Sequence, residues 1–266
     1  MNASVIVTTY NRPGALAGVL EGLAHQTLLP GEVLVADDGS TDETRSRIER
    51  LRPALPWVLI HVWHADQGFR AAKIRNDAIR RAAGDYVILL DGDCIPNRHF
   101  VRDHLALARR GRFFQGKRVL VEESIVGRFD CSHVNSKGAL FAYFIGCGLG
   151  NPHHVLRCPW LPAFPAPGIS GTRSCNMGLF KEDLLAVNGF NEDFVGWGRE
   201  DSELAVRLTN LGLQRRTHPF MAICYHLWHA ENDRTFLQAN DVKLKNTMDS
   251  GVVYCRNGIH KTSDRH

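Results

Sequence analysis

No run of about 18 apolar residues occurs in this sequence, so no segment reads as a membrane-spanning helix. Cysteine is sparse and scattered: seven residues, at positions 94, 131, 147, 158, 175, 224 and 255, with no CxxC pair. An odd, unspaced set argues against a disulfide framework or a zinc ribbon and favours a reducing compartment. There is no polybasic run. With 32 basic and 28 acidic residues the formal net charge is +4, a balance that does not call for nucleic acid. The opening MNASVIVTTYNRP is interrupted too soon to read as a signal peptide. GxGxxG after the first strand and GxxxxGK[ST] are both missing, which removes the dinucleotide fingerprint and the P-loop. The GCGLG at 146–150 lacks their spacing and reads as loop. Any bound phosphate must therefore be held without a glycine cradle. Internal repeats and low-complexity segments are also lacking. A cytoplasmic protein is expected, possible contact with the inner face of a membrane included.

What remains is a chain of 266 residues, 44% of them hydrophobic, ample for one large core. Over the first 110 residues β-rich runs alternate with helical periodicity. ASVIVTTY, EVLVADDGS, WVLIHVW and DYVILLD read as strands. Between them, Leu16, Val19, Leu20 and Leu23 recur at helical spacing, Ser40 or Thr41 stands where a helix cap is wanted, and residues 70–83 read as a helix ended by Gly84. A fourth helix is expected over Phe100 to Ala108. Continuous apolar strands alternating with helices predict an α/β fold with a mostly parallel sheet covered on both faces. From 111 to 175, glycine, proline and aromatics blur the pattern, and irregular structure with short strands is expected, a lid or acceptor loop. Helices are expected again in KEDLLAVNGF and EDSELAVRLTNLG, the latter with Leu204, Leu208 and Leu211 on one face, and a strand within 215–224. After 230 the sequence reads as a polar, weakly patterned tail.

In such sheets ligands bind beyond the carboxyl ends of the strands. The strand ends here read Thr8-Thr9-Tyr10-Asn11, Asp37-Asp38-Gly39-Ser40 and Asp91-Gly92-Asp93, so acidic groups converge on one rim. Asp91 and Asp93 stand two positions apart, so on an extended strand both would leave the same face, and Gly92 permits a turn that re-aims them. Oxygen ligands suit Mg²⁺ or Mn²⁺ bridging a diphosphate. The plain alternative is a pair of aspartates that only caps a turn before Pro96.

VIVTTYNRP, VLVADDGSTDET, QGFRAAKIRNDAI, ILLDGDCIP and GFNEDFVGWGREDSELAVRL stand in this order along the chain. Together they resemble the family 2 glycosyltransferases, whose fold is the Rossmann-like GT-A architecture. The last stretch is similar to the C-terminal part of β-1,4-galactosyltransferases and bacterial chondroitin polymerases. The resemblance spans roughly residues 3–110 and 172–230. It implies one catalytic domain over 1–230: a nucleotide-sugar half (1–110), an acceptor loop region (111–175) and an acceptor-binding half carrying the base (176–230), followed by a tail (231–266). It implies that Thr8, Tyr10 and Asn11 border the nucleotide and that Asp38 hydrogen-bonds a uracil. Gly68, Arg70 and Arg75 would border the uridine and diphosphate. Asp91, with Gly92, would lie nearer the ribose, and Asp93 would ligate the metal together with His226. Asp201 is implied as the base, with Glu200 beside it, and Trp197, Gly198 and Asn176 would face acceptor or sugar.

Plainer readings stand beside these. Arg70, Lys73 and Arg75 could form a solvated helix face, although arginine forks pair well with phosphate. Glu200 and Asp201 could simply complement a helix dipole. His226 and His229 form an HxxH, and the residues leave open which one is the ligand, with His226 preferred. An imidazole ligand tilts the metal from Mg²⁺ toward Mn²⁺. Cys94 reads as a buried filler. Trp160, Trp197 and Trp228 are candidates for sugar stacking. The expected activity is inverting transfer from a nucleotide-diphosphate sugar, a UDP-sugar first, to a hydroxyl of a glycan or glycolipid acceptor in surface polysaccharide or lipopolysaccharide synthesis. The alternatives are a sugar nucleotidyltransferase or a non-catalytic carbohydrate-binding relative.

Overall fold

The computed structural model describes residues 1–231 and 233–261; position 232 and positions 262–266 of the expected tail lie outside the described residues. Its first half alternates strictly: β1 (Ala3–Thr9), α1 (Pro13–Ala24), β2 (Glu32–Asp37), α2 (Asp42–Leu51), β3 (Val58–Trp63), α3 (Ala71–Arg81) and β4 (Tyr86–Asp91). Then follow β5 (Cys94–Pro96), α4 (Phe100–Leu107), β6 (Arg112–Gln115), β7 (Lys117–Val121), α5 (Glu123–Val126), α6 (Cys131–Val134), α7 (Lys137–Ile145), β8 (Leu149–Gly150) and β9 (Phe164–Pro165). The chain closes with β10 (Asn176–Phe180), α8 (Lys181–Ala186), α9 (Glu200–Asn210), β11 (Gln214–Thr217), β12 (Ile223–Leu227) and α10 (Leu237–Ser250).

An 8-stranded sheet runs β3-β2-β1-β4-β10-β6-β11-β9. The first four strands are parallel; β10 is antiparallel to both β4 and β6. Helices cover both faces, the mixed, mostly parallel α/β sheet expected. Alternation along β1 explains the two cores. Val5 and Val7 join Leu16, Leu20 and Tyr225 on one side, while Ile6 joins Leu34, Ile74 and Leu204 on the other, because successive side chains leave a strand on opposite faces. A second, 4-stranded sheet runs β5-β12-β7-β8. The Asp91-Gly92-Asp93 turn carries the chain from one sheet to the other. Gly92 N–H donates to Thr8 O at 2.7 Å, and a Cβ at Gly92 would lie 2.9 Å from that same oxygen, so only glycine fits.

Several local expectations are corrected. The segment 111–175 is not mainly irregular: β6 lies inside the main sheet, β7 is a central strand of the small sheet, and α7 is a nine-residue helix. The single strand expected within 215–224 is two strands in different sheets, β11 and β12. The tail contains a 14-residue helix, α10, packed on α9. Neither Ser40 nor Thr41 caps α2 through its side chain; the Ser40 hydroxyl instead accepts the Asn11 N–H at 2.8 Å. Gly84 lies beyond the α3 cap, and close approach to Ser4 in β1 excludes a side chain there. Leu211 is exposed, while Leu204 and Leu208 are buried. His226 is in a strand, so HxxH does not follow helical spacing. GCGLG is loop up to the two residues of β8. All seven cysteines are free thiols.

Candidate active site

A cleft of about 720 Å³ opens beyond the carboxyl ends of β1, β2 and β4. Of the residues singled out in the sequence, Thr8, Tyr10, Asp38, Arg75, Asp91, Gly92, Asp93, Trp197, Glu200, Asp201, His226 and His229 line it. Asn11, Gly68, Arg70, Gly198 and Asn176 do not. Asn11 has φ +47° and uses its carboxamide oxygen to accept the Thr41 N–H at 2.9 Å. Gly68 sits at φ +75° in a turn whose N–H donates to Asp66. Gly198 accepts from Asn240 at 3.0 Å. Asn176 is 1% exposed; its amide donates to Lys117 O at 2.9 Å and Ala222 O at 2.7 Å, and its oxygen meets His104 Nε2 at 2.9 Å. That side chain ties the two sheets together.

At the end of β2, Asp38 is held by His64 Nε2 at 2.7 Å and by the Arg70 backbone N–H at 2.8 Å. Arg70 thus reaches Asp38 through its peptide. Burial raises the Asp38 carboxyl, against these contacts. Arg75, buried on α3, spans three elements. Its guanidinium reaches Thr8 Oγ1 at 3.1 Å, Glu200 Oε1 at 3.1 Å and Asp91 Oδ1 at 3.3 Å. It is a clamp between β1, β4 and α9. Burial raises the Asp91 carboxyl, and the Asp93 charge adds to this, with Arg75 opposing.

The turn after β4 and the end of β12 together build a donor cluster. Leu227 N–H donates to Asp93 O at 2.9 Å, and Cys94 pairs with His226 in register. Asp93 consequently stands 3.8 Å from His226 Nε2 and 3.4 Å from His229 Nε2. One ligating atom from each of the three lies within 4.8 Å of the others. Burial, then the charges of Arg118 and His229, lowers His226 to about 4. The imidazole is therefore neutral near pH 7, with a lone pair to offer. One carboxylate and two imidazoles suit Mn²⁺, which accepts nitrogen donors more readily than Mg²⁺ does. Cys94 is fully buried behind them, and burial pushes its thiol well up.

Across the cleft, Asp201 is the second residue of α9. Its carboxylate accepts the Ser174 N–H at 3.1 Å and its neighbour Ser202 N–H at 2.8 Å. Burial, then the Glu200 charge, pushes it up to about 7, against Arg75. Glu200 Oε2 is buried with no hydrogen-bond partner among the described residues. Trp197 and Trp228 line the cleft, whereas Trp160 is 77% exposed and does not. Five further residues carry no local signal: Arg12, whose Nη1 is 2.8 Å from Asp93 Oδ2, His64 behind Asp38, Ser174 behind Asp201, and Arg118 and Arg173 on the cleft wall. The partners of Arg12, His64 and Ser174 are 26 to 81 residues away in sequence.

Comparison with known proteins gives two adjacent family matches: Glycosyl transferase family 2 over residues 4–157 and the N-terminal domain of galactosyltransferase over 159–230. The chain belongs to glycosyl transferase family 2, an enzyme family. It is 30% identical over 247 residues to a validoxylamine A glucosyltransferase of Streptomyces hygroscopicus subsp. limoneus, a match covering 79% of this chain and 48% of that protein. It is 26% identical over 249 residues to Escherichia coli chondroitin synthase, covering 84% of this chain and 34% of that one. The chain thus spans about half or less of the length of these relatives. Its fold matches S. aureus TarS 1-349 in complex with UDP at a TM-score of 0.63 and 20% identity, over 94% of this chain and 65% of that one. No helix among the described residues is long and apolar enough to cross a membrane.

Proposed function

We propose that this chain is a metal-dependent, inverting glycosyltransferase that moves a sugar from a UDP-sugar to a hydroxyl of a glycan or glycolipid acceptor, in surface polysaccharide or lipopolysaccharide synthesis. The observation that carries the reading is a pairing across one cleft. A carboxylate poised at about 7, Asp201, faces the same cavity as the Asp93–His226–His229 cluster. UDP in the complex of the TarS fold neighbour and the glucosyltransferase relative are in keeping with it.

In this reading Asp38, fixed by His64 and the Arg70 N–H, presents a carboxylate oxygen to the base of the nucleotide. Arg75 holds Thr8, Asp91 and Glu200 in one frame beneath the donor. Asp93 and His226, with His229 alongside, would hold Mn²⁺, which would supply positive charge toward a departing diphosphate. Asp201 accepts the proton of the acceptor hydroxyl as that oxygen bonds to the anomeric carbon, and the two N–H groups on its oxygens fix its direction. Trp197 and Trp228 offer faces for sugar rings. Residues 1–230 act as one catalytic unit, with 111–175 forming the acceptor side. Peripheral contact with an anionic membrane surface belongs to the same reading; exposed Phe141, Phe144 and Ile145 on α7 support it. Pelleting with phosphatidylglycerol vesicles tests that part, and equal pelleting after Phe141→Ser and Phe144→Ser would remove it.

The decisive experiment is Asp201→Asn with a UDP-sugar panel and Mn²⁺. UDP binding should persist while transfer falls by on the order of 10² to 10⁴. Transfer at the parent rate would overturn the assignment.

A further inference from the structure

A second cavity, about 660 Å³, adjoins the first and shares Arg118, Leu120, Arg173 and Cys175 with it as a common wall. The two differ in charge. Seven carboxylates and five arginines line the first. The second is lined by Lys117, Arg118, Arg173, Arg215, His153 and His154, and by no aspartate or glutamate. None of Lys117, Arg118, Arg173 and Arg215 forms an ion pair with a carboxylate among the described residues. Arg215 places three of its five donors on neutral oxygens, Ala166 O and Ser170 O, each at 2.9 Å, and the Thr172 hydroxyl, which leaves two N–H groups for an incoming acceptor. The Lys117 ammonium is held below its usual range, first by burial and then by the charges of Arg215 and Arg173. Packing like charges in a partly desolvated hollow is costly, and a single-sign cleft focuses its field on an incoming counter-charge.

The backbone links this hollow to the candidate base. Gln115 accepts the Arg173 N–H at 3.0 Å and donates to Arg173 O at 2.9 Å, fixing that residue from both sides. The next residue, Ser174, donates its N–H to Asp201. A molecule anchored beside Arg173 is therefore one residue from the contact that orients the proton acceptor.

We propose that the second cavity is an acceptor subsite for a phosphate-bearing group, seated on Lys117, Arg173 and Arg215, so that the acceptor's hydroxyl comes to Asp201. This rests on the glycosyltransferase reading and adds the acceptor's chemical class to it. Arginine forks and a lysine point charge suit phosphate oxygens. The phosphate can belong to a lipid-linked diphosphate or to a soluble phosphorylated glycan.

The test uses the full chain with saturating UDP and Mn²⁺, so that the first cleft is filled, and titrates inorganic pyrophosphate by calorimetry. Pyrophosphate should bind alongside UDP. Lys117→Gln should weaken it roughly tenfold or more, the loss of one charge-assisted hydrogen bond, and Lys117→Arg should restore it; UDP affinity should stay unchanged in both. Displacement of pyrophosphate by a detergent-solubilised polyprenyl diphosphate assigns the lipid source, and displacement by a glycerol-phosphate oligomer assigns the soluble one. Pyrophosphate excluded by UDP, binding unaltered in Lys117→Gln, or equal displacement by a neutral trisaccharide would each overturn the proposal. Failure of UDP to bind would instead strike the donor reading; pyrophosphate binding sensitive to Lys117→Gln would then still report the cationic cavity.

Discussion

Arg12 holds Asp93: its Nη1 lies 2.8 Å from the carboxylate oxygen that also stands nearest His229. A resident cation thus occupies the acid that would ligate a metal. The guanidinium is partly exposed, at 37%, which lets it move aside.

Arg12→Gln should therefore tighten Mn²⁺ binding to the nucleotide-free protein, by a factor of about two to five, since an ion pair of this exposure is worth about 0.5–1 kcal/mol. Titration of free Mn²⁺ by electron paramagnetic resonance reads this directly. Weaker binding would mean that Arg12 helps to build the cluster.

His226→Ala should lower Mn²⁺ affinity on the order of tenfold or more, because it removes a half-buried, neutral imidazole donor. His229→Ala measured in parallel separates the two histidines, which the HxxH pattern alone could not. If only His229→Ala weakens binding, the preferred assignment of His226 is reversed.

The pH profile of kcat/KM should rise through about 7 and then level. Asp201 is raised, so below that value it carries a proton and cannot take one from the acceptor; above it the carboxylate is free. A profile already flat from pH 5.5 upward would remove Asp201 from the base role.

Asn176→Ala should cost about 2–4 kcal/mol in urea unfolding, since it strips a donor from two buried carbonyls and a partner from His104. An unchanged midpoint would show that the amide does not hold the sheets together.

The parts of this molecule that could be read from sequence are those with local causes. β1 to β4 and their helices announce themselves by apolar runs, 3.6-residue spacing and turn residues, and the Asp91-Gly92-Asp93 rim follows from strands that end in acids. The segment 111–175 hid its order because its partners are remote. β7 bonds to β12 about a hundred residues on, with Val119 opposite Tyr225, and β6 finds its place only between β10 and β11. For the same reason Asn176 could be flagged as polar and near the site, but not as a cross-sheet pin. The helix α10 was missed because few of its residues are buried: Asn240, Leu244 and Thr247 make a thin apolar signal.

The small sheet has a further effect. His226 and Leu120 are register neighbours, and Ile223 and Lys117 are another pair three rungs away, a separation of about 10 Å along the strands. A pleated ladder stretches little, so the span from the histidine end to the lysine end behaves as a ruler rather than a hinge. Molecules whose reactive and charged ends differ from that span by a sugar unit would be measured against a fixed gauge, its length kept by main-chain hydrogen bonds and its two ends marked by the His226 and Lys117 side chains.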